Sequence, residues 1–209
     1  MESRAKIISS SRNKRVKINV IPGHFATNHS HINYYVDMTS VKTSHKMAKE
    51  AASDLAMNYT GTHIDTIICL EGTEMLGAFL AEDLSAAGIN KDLDIAVVTP
   101  ELNSNNQMIF RDNTQSKIWQ KQVLLLIASA STGKTINRAI DCLKYYNGNL
   151  VAISSIFSAI EESNNLPVKS IFTDKDIPGY ATYVPSECTQ CLSGNKVDAL
   201  VNSFGYSKI

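Results

Sequence analysis

The segment 123–135 constrains the chain more than any other. It runs Val-Leu-Leu-Leu-Ile, then Ala128-Ser129-Ala130-Ser131-Thr132-Gly133-Lys134-Thr135, and then takes up helical spacing. Five apolar residues in a row read as a strand buried on both faces. Small residues let backbone N–H groups approach an anion, Ser and Thr add hydroxyl donors, and a following helix aims its positive end at the same place. The segment is therefore read as a strand, a phosphate-gripping loop and a helix start. Ser129, Ala130, Ser131, Thr132, Gly133, Lys134 and Thr135 are the candidate phosphate-binding residues. A plain strand-to-helix turn also uses Ser, Thr and Gly, but their coincidence with Lys at one strand end favours an anion.

The rest of the chain alternates between two periods. Met47, Ala48, Ala51, Ala52, Leu55 and Ala56 recur at helical spacing over 43–58, with Thr43 or Ser44 available as a cap. Residues 64–70 are short, β-branched and apolar, which predicts a buried strand. Helical spacing returns over 73–87 through Leu76, Phe79, Leu80 and Leu84, with Gly88 as a stop. Further strands are predicted at 94–98, 150–156 and 168–172, and a helix at 135–146. Residues 1–20 read as a flexible or strand-like arm. Strands alternating with helices predict an α/β fold, a parallel sheet with helices on both faces, in which ligands bind at the carboxyl ends of the strands. The stretch 99–117 is polar and aperiodic and reads as one long functional or mobile loop.

Composition narrows the classes. The 209 residues suggest one domain, large enough to bury a core without staples. Lys plus Arg is 20 and Asp plus Glu is 20, a balance that argues against a nucleic-acid partner. The apolar runs are too short to span a bilayer, and residues 1–15 hold no apolar signal core. Cys69 and Cys142 fall in apolar periodic segments and read as small buried hydrophobes, which favours a reducing, cytoplasmic setting.

Two loop families compete for 128–135. Lys134-Thr135 after Gly133 is similar to a Walker A loop of P-loop nucleotide-binding proteins, although Ala128 stands where the first Gly belongs and the next strand offers Ser154 and Ser155 but no acid for magnesium. Ser131-Thr132-Gly133-Lys134-Thr135 more closely resembles the 5′-phosphate loop of the type I phosphoribosyltransferases. In that family a pyrophosphate loop follows an earlier strand, and Glu71-Gly72-Thr73 occupies that position here. The stretch 23–37 resembles the hood of the orotate phosphoribosyltransferases, with Phe25, Asn28, His31 and Tyr35 on the base side. Here Asn28-His29 replaces the usual Ser-Gly. The three histidines at 24, 29 and 31 are spaced by five and two, which fits no helical metal pair, so a polar hood with His31 hydrogen-bonded in place is the reading. The resemblance covers about 18–175. It implies a phosphoribosyltransferase-like single domain over 1–209, with an arm and hood over about 1–42, a core over 43–175 and a tail over 176–209. It also implies a homodimer, a phosphorylated ribose or nucleotide ligand, and Mg2+ if the chain is an active transferase.

The same resemblance exposes two departures. The family places two acids before the phosphate loop, against the ribose hydroxyls, and those positions are Ile127 and Ala128 here. Neither accepts a hydrogen bond through its side chain. Orotate enzymes also close a basic run over the pyrophosphate, whereas 99–117 holds only Arg111 and Lys117, offset by Glu101 and Asp112. Cationic clamps are a major term in such chemistry. Two classes stay open: a binder of phosphoribosyl pyrophosphate or a nucleoside monophosphate whose transferase activity is weakened or lost, and an active purine or pyrimidine phosphoribosyltransferase. No catalytic residue is assigned.

In the tail, Cys188-Thr189-Gln190-Cys191 followed by Gly194 resembles a zinc-knuckle half-site. A full site needs four ligands, and the chain has no second such pair. Two subunits pooling thiolates, a nearby His, a redox pair and an unremarkable reduced pair all remain open for Cys188 and Cys191. Residues 196–204 read as a short helix through Val197, Leu200 and Val201.

Overall fold

The apolar run 123–127 is the middle of the main sheet. The computed structural model describes residues 1–104 and 107–209. In chain order the elements are β1 (Lys6–Ser9), β2 (Lys17–Ala26), β3 (His31–Asp37), α1 (Thr39–Thr43), α2 (His45–Ala56), β4 (Thr66–Cys69), α3 (Glu74–Ala86), β5 (Ala96–Val98), β6 (Glu101–Leu102), β7 (Met108–Ile109), α4 (Asp112–Gln115), β8 (Gln122–Ala130), α5 (Lys134–Tyr145), β9 (Asn149–Ser158), β10 (Glu162–Ser163), β11 (Leu166–Thr173), β12 (Thr182–Tyr183), α6 (Thr189–Leu192), β13 (Ala199–Asn202) and β14 (Gly205–Lys208). The main sheet runs β10-β11-β9-β8-β4-β5, parallel throughout except for the short β10 at its edge.

The alternation of β8 shows why its sequence is apolar at every position. Leu124, Leu126 and Ala128 pack on one face with Ala51, Ala52 and Leu55 of α2 and with Leu76, Leu80 and Leu84 of α3. Val123, Leu125 and Ile127 face the other way, against Ile136, Ala139, Ile140 and Leu143 of α5. A strand covered on both sides has no polar face to show. Ser44 caps α2, its hydroxyl accepting from the Met47 N–H at 3.4 Å.

The second sheet forms the hood and runs β12-β3-β2-β13-β14, with β1 also on β2. Phe25, Ile32, Tyr35, Ala199 and Val201 form its core. Residues 1–20 thus hold β1 and the start of β2, and the hood draws on both 1–42 and 176–209.

Two expectations are corrected. The helix expected over 196–204 is a hairpin, β13 and β14, in which Ala199 and Val201 turn inward and Leu200 outward. That period of two fits the open edge of β2, which β13 joins in parallel, Ala199 beside Phe25. Tertiary pairing outweighs the accidental helical spacing of Val197, Leu200 and Val201. The stretch 99–117 is not one loop, because β6 and β7 pair within it and α4 follows. Phe110 anchors it, buried edge-on against Tyr146 at 5.3 Å. Residues 105 and 106 of that stretch lie outside the described residues. Among the described residues, no helix is long and apolar enough to cross a membrane.

Candidate functional site

The strand before the anion loop is longer than its apolar run. Ser129 and Ala130 still pair with Phe157 and Ser158 of β9, so the turn itself is Ser131, Thr132 and Gly133. Gly133 is the residue before α5, at φ +73°, and no side chain caps the helix. The first N–H groups of a helix have no partner within it. The Asn137 N–H is the first to close on the Gly133 carbonyl. The donors from Gly133 to Ile136 therefore converge at the carboxyl end of β8, where the helix dipole is positive.

The neighbouring strand ends in the second predicted loop. Glu71 and Gly72 are consecutive left-handed residues, at φ 62° and 78°. This conformation brings the Glu71 carboxylate across to β8, where it accepts from the Ser129 N–H at 3.1 Å. Burial pushes the Glu71 carboxyl up from its ordinary value, against the pull of the Ser129 N–H and of the Lys42 charge. Thr73 is wholly buried, and its hydroxyl is shared between the Leu70 and Leu126 carbonyls, tying the ends of β4 and β8 together. Lys42, half-buried beside them, donates to the Glu71 carbonyl at 3.1 Å and to the Ser203 carbonyl at 2.5 Å. Burial lowers its pKa, while Glu71, Asp37 and Glu74 raise it. Through Lys42 the turn of the C-terminal hairpin is fixed to the Glu71–Gly72 loop. Neither Lys42 nor Ser203 stands in a motif, so the sequence gives no sign of this link.

The two departures have structural explanations. Ile127 and Ala128 are 0 % and 1 % exposed, each packed into a different face of the core. Arg111 makes two 2.7 Å hydrogen bonds to Glu101 across the β6–β7 hairpin, an exposed pair within its own segment.

The predicted hood residues separate into two groups. Phe25 and Tyr35 belong to the hood's core, in contact with each other at 6.0 Å, and Tyr35 also meets Tyr206 at 5.4 Å. Burial, with Asp37 and Tyr206 nearby, pushes the Tyr35 hydroxyl up to about 12. Asn28 is exposed in the turn between β2 and β3. His31 goes elsewhere. It pairs with Ala26, and His24, in the irregular stretch of β2 between Pro22 and Phe25, turns its ring toward it. The two rings meet edge-on at 5.0 Å, beside Cys188 and Cys191. Spacing rules for helices missed this pair, because a hairpin joins residues seven apart.

His24 is held by its surroundings. Its N–H donates to Asp198 at 2.9 Å, and its ring Nδ1 lies 3.0 Å from the Asn195 carbonyl. Gly23 before it has no room for a side chain, since a Cβ there would lie 2.4 Å from the Asp198 carboxylate. Burial, then the charge of His24, lowers the pKa of His31 and favours its neutral ring.

A parallel sheet with a loop of small hydroxylic residues after one strand, a left-handed turn after its neighbour and a small hood is the architecture of the type I phosphoribosyltransferases, and the chain has that fold. Among solved structures it is similar to the Leishmania donovani UMP synthase (TM-score 0.56, 13% identity, 76% of this chain), of which it spans 34%. It is also similar to the orotate phosphoribosyltransferases of Mycobacterium tuberculosis (TM-score 0.53, 15% identity, 76% of this chain and 91% of that one) and Aeropyrum pernix (TM-score 0.53, 18% identity, 75% and 88%). No protein-family profile matches the chain, and no curated protein matches it in sequence.

Proposed function

We propose that the chain binds phosphoribosyl pyrophosphate or a nucleoside monophosphate through residues 129–135, with transferase activity weakened or lost. The observation that carries this reading is the end of β8. An uncapped helix start follows Gly133, while Ile127 and Ala128, aligned with the family's acids, are core residues. The first feature supports phosphate binding, and the second removes the groups that would steady the ribose. The proposal includes a cytoplasmic homodimer without a nucleic-acid partner, consistent with the four free cysteines and zero formal net charge.

One observation favours the active alternative, a purine or pyrimidine phosphoribosyltransferase using Mg2+. The Glu71 carboxylate reaches the Ser129 N–H from the adjacent strand and so brings an acid to the strand end from another direction. The fold lends no comparable support to a P-loop nucleotide-binding protein. Turnover of orotate, adenine and other bases with phosphoribosyl pyrophosphate and Mg2+ separates the two, alongside calorimetric titration of phosphoribosyl pyrophosphate and nucleoside monophosphates. Binding without turnover is expected. Rapid nucleotide formation with any base overturns the binding-only reading, and absence of binding overturns both.

A further inference from the structure

Four side chains converge away from the anion loop. His24 Nε2 lies 3.0 Å from His31 Nδ1, 3.4 Å from Cys188 Sγ and 3.6 Å from Cys191 Sγ. Cys191 Sγ is also 3.2 Å from His31 Nδ1, and all four atoms fall within 4.8 Å of one another. Hydrogen bonding does not account for this crowding. With Nδ1 donating to the Asn195 carbonyl, His24 Nε2 has one lone pair, which serves one donor, yet three polar atoms surround it. A cation at the centre satisfies all four groups at once.

The dimensions identify the cation. Bonds of about 2.0–2.1 Å to nitrogen and about 2.3 Å to sulfur give a tetrahedron with edges of roughly 3.3–3.8 Å. Four of the six edges, at 3.0–3.6 Å, are that figure slightly contracted, and the two from Cys188 to Cys191 and to His31 lie within 4.8 Å. Two thiolates and two imidazoles in a tetrahedron suit Zn2+, with no position left open for a reacting water. The carbonyl on His24 Nδ1 is the outer hydrogen bond that ligating histidines characteristically make, and it leaves Nε2 to face the metal. A thiol–disulfide pair would use the sulfurs alone and has no need of two converging ring nitrogens.

We propose that His24, His31, Cys188 and Cys191 of a single chain bind one structural Zn2+, which clasps the C-terminal segment to the hood. The ligands come from β2, β3 and the turn around α6, three pieces that the sequence separates widely. Downstream of the clasp lie Asp198, which holds the His24 backbone, β13, which pairs with β2, and Ser203, which accepts from Lys42. The metal thereby fixes the segment that reaches the Glu71–Gly72 loop. This inference stands apart from the anion-loop reading and survives its failure.

The test is metal analysis of the chain purified under reducing, chelator-free conditions. One zinc per chain is expected. Replacement by Co2+ should give the visible ligand-field bands of a tetrahedral site and thiolate-to-cobalt charge transfer in the near ultraviolet. The double variant C188S/C191S should retain no metal. In case it does not fold, His31→Gln provides the second measurement. Its zinc affinity should fall by more than the about 10–100-fold that loss of an outer hydrogen bond costs. A reduced chain that holds no zinc and takes up no Co2+ overturns the proposal. So does a stoichiometry of one metal per two chains, or full retention of zinc by C188S/C191S.

Discussion

Replacement of Gly133 by Val separates the proposed anion-binding loop from the scaffold beneath it. Gly133 sits at φ +73°, and a Cβ there would meet Ile160 Cδ1 at 3.4 Å and Ser163 Oγ at 3.8 Å, which is ordinary contact. Space is therefore not the obstacle; the backbone is. A left-handed residue with a side chain costs about 1–2 kcal/mol, and a β-branched one lies at the upper end. For a chain of this size that is a fall in Tm of about 2–8 °C where the loop keeps its shape, with the sheet intact. The variant escapes this cost by turning Gly133 to negative φ, which swings the N–H groups of residues 133 and 134 away from their common focus. A hydrogen bond to a charged group is worth about 1.5–3 kcal/mol, so two lost donors weaken anion binding by about 3–6 kcal/mol. That corresponds to a rise in Kd of roughly 10²- to 10⁴-fold. Calorimetric titration of phosphoribosyl pyrophosphate, with sulfate as competitor, reads the affinity, and differential scanning calorimetry reads the stability. Gly133→Asn, which adopts the left-handed region at lower cost, should retain most of the affinity. A Val variant that binds as tightly as the parent without melting lower, its strain relieved by the turned backbone, refutes the assignment of these donors to the ligand.

Three further outcomes follow, two from contacts around the same loops and one from the arm. Glu71→Gln keeps an acceptor for the Ser129 N–H but removes a charge beside the anion loop, so sulfate should bind more tightly. In the parent, sulfate affinity should fall as pH rises from the ordinary carboxylate value through the raised one of Glu71, and this slope should vanish in the variant. Because that carboxyl is raised on folding, its contribution to stability is also lost as pH rises through the same window, and Glu71→Gln should flatten the dependence in urea titrations. Lys42→Met strips a donor from the Glu71 and Ser203 carbonyls and should cost about 2 kcal/mol in urea unfolding; no change would mean that the link is idle. Arg12 Nε lies 2.8 Å from the fully buried Asp54 carboxylate, so Arg12→Met leaves that charge unpaired and should destabilise by about 3 kcal/mol, whereas Arg12→Met with Asp54→Leu should recover part of the loss.

Much of the scaffold is legible in the sequence because its signals are local. The strand at 123–127 needs no partner to be recognised, since burial on both faces leaves an uninterrupted apolar run. The helices at 45–56 and 134–145 follow from their apolar stripes and from a capping Ser44. The hidden parts depend on distant partners. The hairpin at 199–208 is decided by the open edge of β2, and the helical spacing within 196–204 gives no hint of it. The stretch 99–117 looks featureless because strands of two residues each carry no period. At the site, Gly133 and Glu71 are visible as motif residues, but the reach of the Glu71 carboxylate to Ser129 depends on two successive left-handed residues. His24 and His31 come together only because a hairpin puts them there, and their meeting with Cys188 and Cys191 spans more than 150 residues of sequence.

The placement of β13 beside β2 bears on the order in which the molecule can be assembled. His24 meets Asp198 across 174 positions, and Glu2 meets Lys208 across 206. The α/β core, from β4 to β11, closes over shorter stretches of sequence, its widest strand pairing being that of Thr66 in β4 with Val123 in β8, and can collapse early. The hood has to wait for the last strands, because contacts this distant carry the largest loop-closure cost and form slowly. During synthesis the Phe25–Ala26 end of β2, beyond the part that β1 covers, therefore stands unpaired on one edge until β13 has emerged, and an unpaired apolar edge is a template for the wrong partner. Shortening the chain before Ala199 should leave a folded core with an aggregation-prone hood, a failure of assembly rather than of stability.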